Sequence, residues 1–388
     1  MTPSEVVPTL RVKVVGIGGA GCHILSRINL KYHDRIDLAA IDTDAQVLAD
    51  IPIEQKHLLG GKMTHGLGSG GEVSLSCKAV EQDHEMLEAL FADTELVFLI
   101  AGLGRGTGSG AGPAMAKISA KTDAFTIAFV ALPFTFEGTQ RRKQALESLA
   151  EWRTACHAVI PLPNDLLIQE TEEAANVPQA LKQADEWIRR GIDSCCTMLF
   201  SNSLIPLDFP TLRTAFGSRG GKTLFGLGRA SGQDFIRKAL DDLMLCPLLH
   251  LSESTRYADS LLVNIIGGKD LTLVQVKDLM HTLNDKFGGK KNTVIGAVVD
   301  PDLGDALELC VIGSSDIHEN PTSQAVMTSH TPYPEKKPTI PAPTIQREFG
   351  FADVQKQRGY FDKTNRNLHD GEDLDIPTYL RKGIKIGL

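Results

Sequence analysis

Residues 102–110 read Gly102-Leu-Gly-Arg-Gly-Thr-Gly-Ser-Gly110, with a glycine at every second position. Glycine loses more chain entropy on folding than any other residue, and an ordinary strand-to-helix turn needs one or two of them. Five in alternation point instead to a loop whose backbone N–H groups approach an anion unobstructed. The hydroxyls of Thr107 and Ser109 are further donors for phosphate oxygens. The apolar stretch 96–101 just before the loop reads as a buried strand, which puts the loop at a strand's carboxyl end.

Two more glycine-rich turns precede this one, at Gly16-Ile-Gly-Gly-Ala-Gly21 and at 66–71. The first follows the apolar run 12–15 and opens a helical pattern over 22–28, with Ile24, Leu25 and Ile28 on one face. Gly16, Gly18 and Gly21 have the spacing of a dinucleotide-binding turn, a spacing that alone fits a phosphate cradle and a plain tight turn equally. Gly221-Lys-Thr223 resembles the end of a P-loop, but Phe216 stands where the first glycine is required. That segment reads as a turn entering a strand.

Further apolar runs at 38–41, 126–132 and 158–161 alternate with helical or polar stretches such as 77–90. Strands alternating with helices predict an α/β fold with a Rossmann-like, doubly wound parallel sheet. From Glu173 to about Cys196 the pattern is helical, with Leu181, Ala184, Ile188 and Ile192 available for one face, predicting a long connecting helix. Apolar strands at 260–266, 293–299 and 306–312 then predict a second α/β domain with a mixed sheet.

The chain has 388 residues and a formal net charge of −8, which argues against a surface built to hold nucleic acid or anionic lipid by charge. Residues 1–9 lack the basic and apolar segments of a signal peptide, and no apolar run approaches the roughly 20 residues that span a bilayer. Seven scattered cysteines, an odd number with no zinc-site spacing, suit a reduced cytoplasmic protein without a metal centre.

The loop at 102–110 resembles the signature loop of the FtsZ/tubulin family, in which that run holds the phosphates of GTP. The resemblance continues in order through Asp42-Thr-Asp-Ala-Gln46, Phe134-Thr-Phe-Glu-Gly138, Pro163-Asn-Asp165, Asp208-Phe209, Asp302-Leu-Gly-Asp305 and Leu374-Asp-Ile-Pro-Thr-Tyr-Leu-Arg381. The last two, with the Pro-, Ser- and Thr-rich stretch between them, favour the bacterial FtsZ branch. The organisation it implies is a 1–10 extension, a GTP-binding domain at 11–172, and a connecting helix with adjoining segment at 173–203. A C-terminal α/β domain at 204–314, a disordered linker at 315–370 and a partner-binding peptide at 371–388 complete it.

Carried over by position, the resemblance implies that Gly18, Gly19, Gly21, Gly104, Arg105, Gly106, Thr107, Gly108 and Ser109 form the phosphate cradle. It places Glu137 and Arg141 at ribose and phosphate, Asn164 at the guanine base, and Asp185 where a carboxylate accepts the guanine N1 and N2 hydrogens. By itself Asp185 also reads as a solvated helix charge. Three positions depart from the family: His23 replaces an Asn, Arg105 a glycine, and Leu181 the aromatic residue that stacks on guanine. In the family, a loop of the next subunit presents acidic groups to the γ-phosphate, and polymerisation switches on hydrolysis. The corresponding stretch here is Pro206-Leu-Asp-Phe-Pro-Thr211, where Asp208 alone keeps a carboxylate and is the expected catalytic residue.

The resemblance therefore implies a cytoplasmic, division-site GTPase that binds GTP or GDP with Mg2+ or a monovalent cation. It would polymerise head to tail, with hydrolysis slowed, and recruit membrane-tethering or division proteins through its terminal peptide. Nucleic acid and direct membrane insertion are not expected. A non-hydrolysing paralogue that co-assembles with a second FtsZ is one alternative. An NAD-binding oxidoreductase, with Asp42 and Asp44 on a ribose, is another.

Overall fold

The computed structural model describes residues 10–166, 177–201, 203–205, 209–217, 219–251, 255, 257–315, 368–369 and 372–373. The first lobe is a sheet whose strands are β1 (Val12–Ile17), β2 (Ile36–Asp42), β3 (Gln55–Leu58), β4 (Leu96–Gly102), β5 (Phe125–Leu132) and β6 (Ala158–Pro163). They lie in the order β3-β2-β1-β4-β5-β6 and every pairing is parallel. Along β4 the side chains split between two cores. Leu96, Phe98 and Ile100 enter one, Val97, Leu99 and Ala101 the other. A strand buried on both faces has no polar side to alternate with, which is why 96–101 is a continuous apolar run.

Helices cover both faces. After β1 comes α1 (Gly18–Arg27), whose Ile24 and Leu25 are buried as the spacing predicted, together with Cys22, while Ile28 caps the helix and is half-buried. The helical or polar stretch 77–90 falls in two helices, α2 (Val73–Gln82) and α3 (His84–Phe91), broken at Asp83. The Asp83 carboxylate accepts the Gly60 N–H (2.6 Å), a partner outside the helix that periodicity does not reveal. After β4 comes α4 (Gly106–Lys121), and after β5 comes α5 (Thr139–Ala155). Trp152 of α5 is fully buried and donates its Nε1–H to the Gly108 carbonyl (3.3 Å), fixing the start of α4. Loss of a ring this size from a core costs about 3–5 kcal/mol.

The long helix is α6 (Val177–Phe200), 24 residues. Ile188 and Ile192 are buried as expected, while Leu181 and Ala184 are only half-buried. The second sheet has the order β7-β10-β9-β11-β8, with β7 (Ser203–Ile205), β8 (Thr223–Ala230), β9 (Ala258–Gly267), β10 (Gly288–Val299) and β11 (Leu307–Ser314). Only β9 and β10 pair in parallel; the other pairs are antiparallel, so this sheet is mixed. Gly221 leads into β8, in agreement with the turn-into-strand reading of Gly221-Lys-Thr223. The lobes are tied by the Val159 N–H on the Thr223 hydroxyl (3.1 Å) and by Lys31, whose N–H meets Asp193 (2.8 Å) and whose Nζ meets Asp300 (2.5 Å).

The chain forms two compact units, residues 1–322 and 323–388. In the second, Leu368–His369 pairs antiparallel with Glu372–Asp373 inside the stretch expected as linker and terminal peptide. The rest of that stretch, like the 1–9 portion of the extension, lies outside the described residues. Among the described residues, no helix is long and apolar enough to cross a membrane.

One buried group makes stability pH-dependent. His157 stacks on Phe125 (4.6 Å) and accepts the Thr126 N–H at Nδ1 (3.0 Å). Burial first, then Arg219 and Arg213, lower it from 6.5 to about 4. The unfolded chain therefore binds a proton that the folded chain refuses between those values. Stability is full above pH 6.5 and falls as pH drops toward 4, by up to about 3 kcal/mol. Urea unfolding at successive pH values should show this loss, and His157→Gln should flatten it.

Candidate functional site

In the strand order, β1 neighbours β2 on one side and β4 on the other, so the chain leaves the sheet in opposite directions after β1 and β4. Such a switch point opens a crevice at the carboxyl ends of the strands. Here it is a cavity of about 880 Å³, walled by the turn into α1, the loop into α4, the segment 67–71 and the start of α5. Both helices begin at this cavity, so their unpaired N–H groups and positive dipole ends converge on it.

Glycine is required where these walls bend. Gly18 (φ 71°) and Gly104 (φ 90°) occupy the left-handed region. A Cβ on Gly108 would stand 2.1 Å from the Gly102 carbonyl oxygen, so a side chain there would force α4 away from β4.

Ten of the expected site residues line the cavity: Gly18, Gly19, Gly104, Arg105, Gly106, Thr107, Gly108, Glu137, Arg141 and Asn164. Glu137 accepts from the Arg141 guanidinium (2.6 Å) and from the Phe134 N–H (3.0 Å), which fixes this pair at the cavity wall. Gly21 lies behind the wall, where a Cβ would come 2.1 Å from the Ile100 carbonyl oxygen; it lets α1 press against β4. Ser109 is also behind the wall. Its hydroxyl accepts the Gly104 N–H (2.8 Å), so it pins the loop instead of facing the cavity.

Asp185 is not among the lining residues. It is buried on α6 and held by Arg27 through Nε (2.5 Å) and Nη2 (3.1 Å). Burial raises its carboxyl above the ordinary value, against the lowering effect of Arg27. Of the loop expected to complete hydrolysis, Pro206, Leu207 and Asp208 lie outside the described residues. Thr211 is exposed in the first turn of the helix Phe209–Ala215.

Other lining residues had no place in the GTP-site assignment: the Asp42-Thr43 pair at the end of β2, Ser69 with Gly70 and Gly71, and Gln144 of α5. Asp42 accepts the Thr43 N–H (2.7 Å) and the Thr107 hydroxyl (3.2 Å), and the Thr43 and Thr107 hydroxyls are 2.8 Å apart. Burial raises the Asp42 carboxyl against these bonds, and Asp42 in turn helps burial push the Cys22 thiol up to about 12. The signal for Asp42 was its place at the end of a strand next to the switch point. Among the described residues no group of three or more His, Cys, Asp or Glu is arranged to hold a metal ion.

Residues 11–172 match the Tubulin/FtsZ family GTPase domain, and residues 221–315 match the FtsZ family C-terminal domain. Among solved structures, the chain is similar to the empty FtsZ dimer of M. jannaschii. That match has 29% identity over 79% of this chain and 89% of the other, with a TM-score of 0.70. It is also similar to CetZ2 of Haloferax volcanii, solved as a GTPγS-bound protofilament, at 21% identity over 80% and 95% of the two chains (TM-score 0.64). CetZ of Methanosaeta thermophila matches at 20% over 79% and 86%, again with a TM-score of 0.64. The two CetZ likenesses show a shared fold. With both of its domain models matched in order over about two thirds of its length, the chain belongs to the Tubulin/FtsZ family.

Proposed function

We propose that this chain binds GTP and GDP in the cavity between β1 and β4 and assembles head to tail into filaments, as a cytoskeletal protein of bacterial cell division. The observation that carries the reading is the convergence of two helix starts and two glycine turns on one cavity. Backbone N–H groups in that array suit a phosphate chain, and the Glu137–Arg141 pair suits the sugar beside it. Assembly is supported by two similar structures, a dimer of M. jannaschii FtsZ and a GTPγS-bound protofilament of Haloferax CetZ2. A head-to-tail contact uses two different surfaces and so generates open filaments.

In this reading a neighbouring subunit's Asp208 would orient the attacking water, and Mg2+ or a monovalent cation would supply charge stabilisation. Hydrolysis is slow because Thr211 carries no carboxylate and Pro206 no amide. The terminal peptide would recruit division or membrane-tethering proteins to the division site in the cytoplasm. Sedimentation with and without GTP, with released phosphate measured in the same sample, tests this. GTP-dependent pelleting is expected, and a monomer indifferent to GTP would refute it.

Asp185 is the proposed guanine contact, which requires the nucleotide to draw it from Arg27. Asp185→Asn should then reduce the preference for GTP over ATP by about tenfold or more, the loss of one charged hydrogen-bond pair. Competition of unlabelled ATP against a fluorescent GTP analogue measures that ratio.

A further inference from the structure

Two hydroxyls at the cavity, Thr43 and Thr107, are already committed. Asp42 is 3% exposed and Thr107 8%, and both line the cavity with Thr43. An ionised carboxylate only accepts, so Thr107 donates its O–H to Asp42 Oδ1 (3.2 Å). Thr107 then accepts from Thr43 across 2.8 Å. In this direction every proton of the chain runs toward the carboxylate, and Thr107 offers the cavity a lone pair. That is the wrong polarity for phosphate. The buried negative charge is also close to the α1 turn, since Asp42 Oδ2 lies 3.8 Å from where a Cβ on Gly19 would stand.

We propose that nucleotide binding is linked to uptake of a proton by Asp42, which turns the hydroxyl chain around so that Thr107 donates into the cavity. The proton comes from the solvent buffer and forms an O–H bond on the Asp42 carboxylate; no bond between heavy atoms changes. A protonated carboxyl donates to Thr107 Oγ1, and the Thr107 hydroxyl, keeping its own proton, turns to donate to a phosphate oxygen. The inference rests on the reading of this cavity as a phosphate site. Its geometry is that of a buried carboxylate at the bottom of a hydroxyl chain, and burial also disfavours the ionised form.

Other titratable and charged groups surround Asp42. Cys22 and His23 come from α1, Asp44 follows it in sequence, and His57 lies on β3, which pairs with β2 through Asp42 and Leu58. Arg105 precedes α4, and Glu137 and Arg141 complete the cavity wall.

Calorimetric titration with GDP in buffers of different ionisation enthalpy reads the proton directly. At about pH 7.5, where the free phosphate chain is already ionised, the wild-type protein should take up a fraction of a proton per GDP, up to one. Asp42→Asn keeps the acceptor for the Thr43 N–H and gives Thr107 a permanent donor. It should abolish the extra uptake, bind GDP about tenfold or more tightly at about pH 8, and flatten the affinity profile. His23→Asn should retain the uptake. Zero uptake by the wild-type protein, or equal uptake by wild type and Asp42→Asn, overturns the inference while leaving nucleotide binding intact. No heat of binding from either GDP or GTP at any pH overturns the phosphate-site reading as well.

Discussion

Gly108→Ala is expected to lower GTP affinity by about 100-fold or more while leaving most of the fold in place. The added Cβ would stand 2.1 Å from the Gly102 carbonyl oxygen, which belongs to the backbone of β4 and has no rotamer to escape into. The first turn of α4 must therefore move, and its N–H groups move with it. Misplacing a positioned group by about 1 Å commonly costs about 10²-fold. The Trp152 Nε1–H bond to the Gly108 carbonyl and the Ser109 bond to the Gly104 N–H are strained by the same shift. Titration with a fluorescent GTP analogue, beside a thermal melt, separates lost binding from lost folding. Unchanged affinity would mean that α4 does not hold the phosphates.

The second large effect is a gain. Thr211→Asp is expected to raise phosphate release from assembled protein by about 10²-fold, the order that a positioned acid or base contributes. Thr211 is exposed in the first turn of its helix, so a carboxylate there meets no core. A first-turn acid is also favoured by the helix dipole, so the variant should fold at least as well as the parent. Phosphate release per pelleted subunit is the measurement. Rapid turnover in the parent with no gain in the variant would show that another group already serves, and would remove the argument for slowed hydrolysis.

The parts of this site that could be read from the sequence are those where backbone chemistry demands a particular residue. The glycine turns after β1 and β4 announce themselves because glycine suits the left-handed φ of Gly18 and Gly104 and the contact at Gly108 leaves no room for a side chain. The continuous apolar run of β4 gave away a strand buried on both faces. What stayed hidden depends on partners distant in the chain. Nothing local marks the Asp83 break, because its cause is Gly60. β3 reads Gln-Lys-His-Leu and sits at the sheet edge, so it lacks the apolar pattern of its neighbours.

Side-chain roles were harder still. Ser109 and Thr107 looked alike as hydroxyl donors, yet Ser109 pins the loop and Thr107 bonds Asp42. Asp185 sits on the long helix as expected, but its engagement by Arg27, 158 positions away, follows from tertiary packing alone. A sequence motif names the residues near a ligand more readily than it states which atoms are free to meet it.

The central claim is that the cavity between β1 and β4 is a GTP site. Equilibrium titration of the full chain with a fluorescent GTP analogue, followed by competition with unlabelled GTP, ATP and NADH, tests it most directly. One site per chain is predicted, with micromolar or tighter affinity, about −8 kcal/mol or stronger, displaced by GTP and GDP far more readily than by ATP or NADH. Absence of binding, or displacement by NADH at the same concentration as GTP, would contradict it.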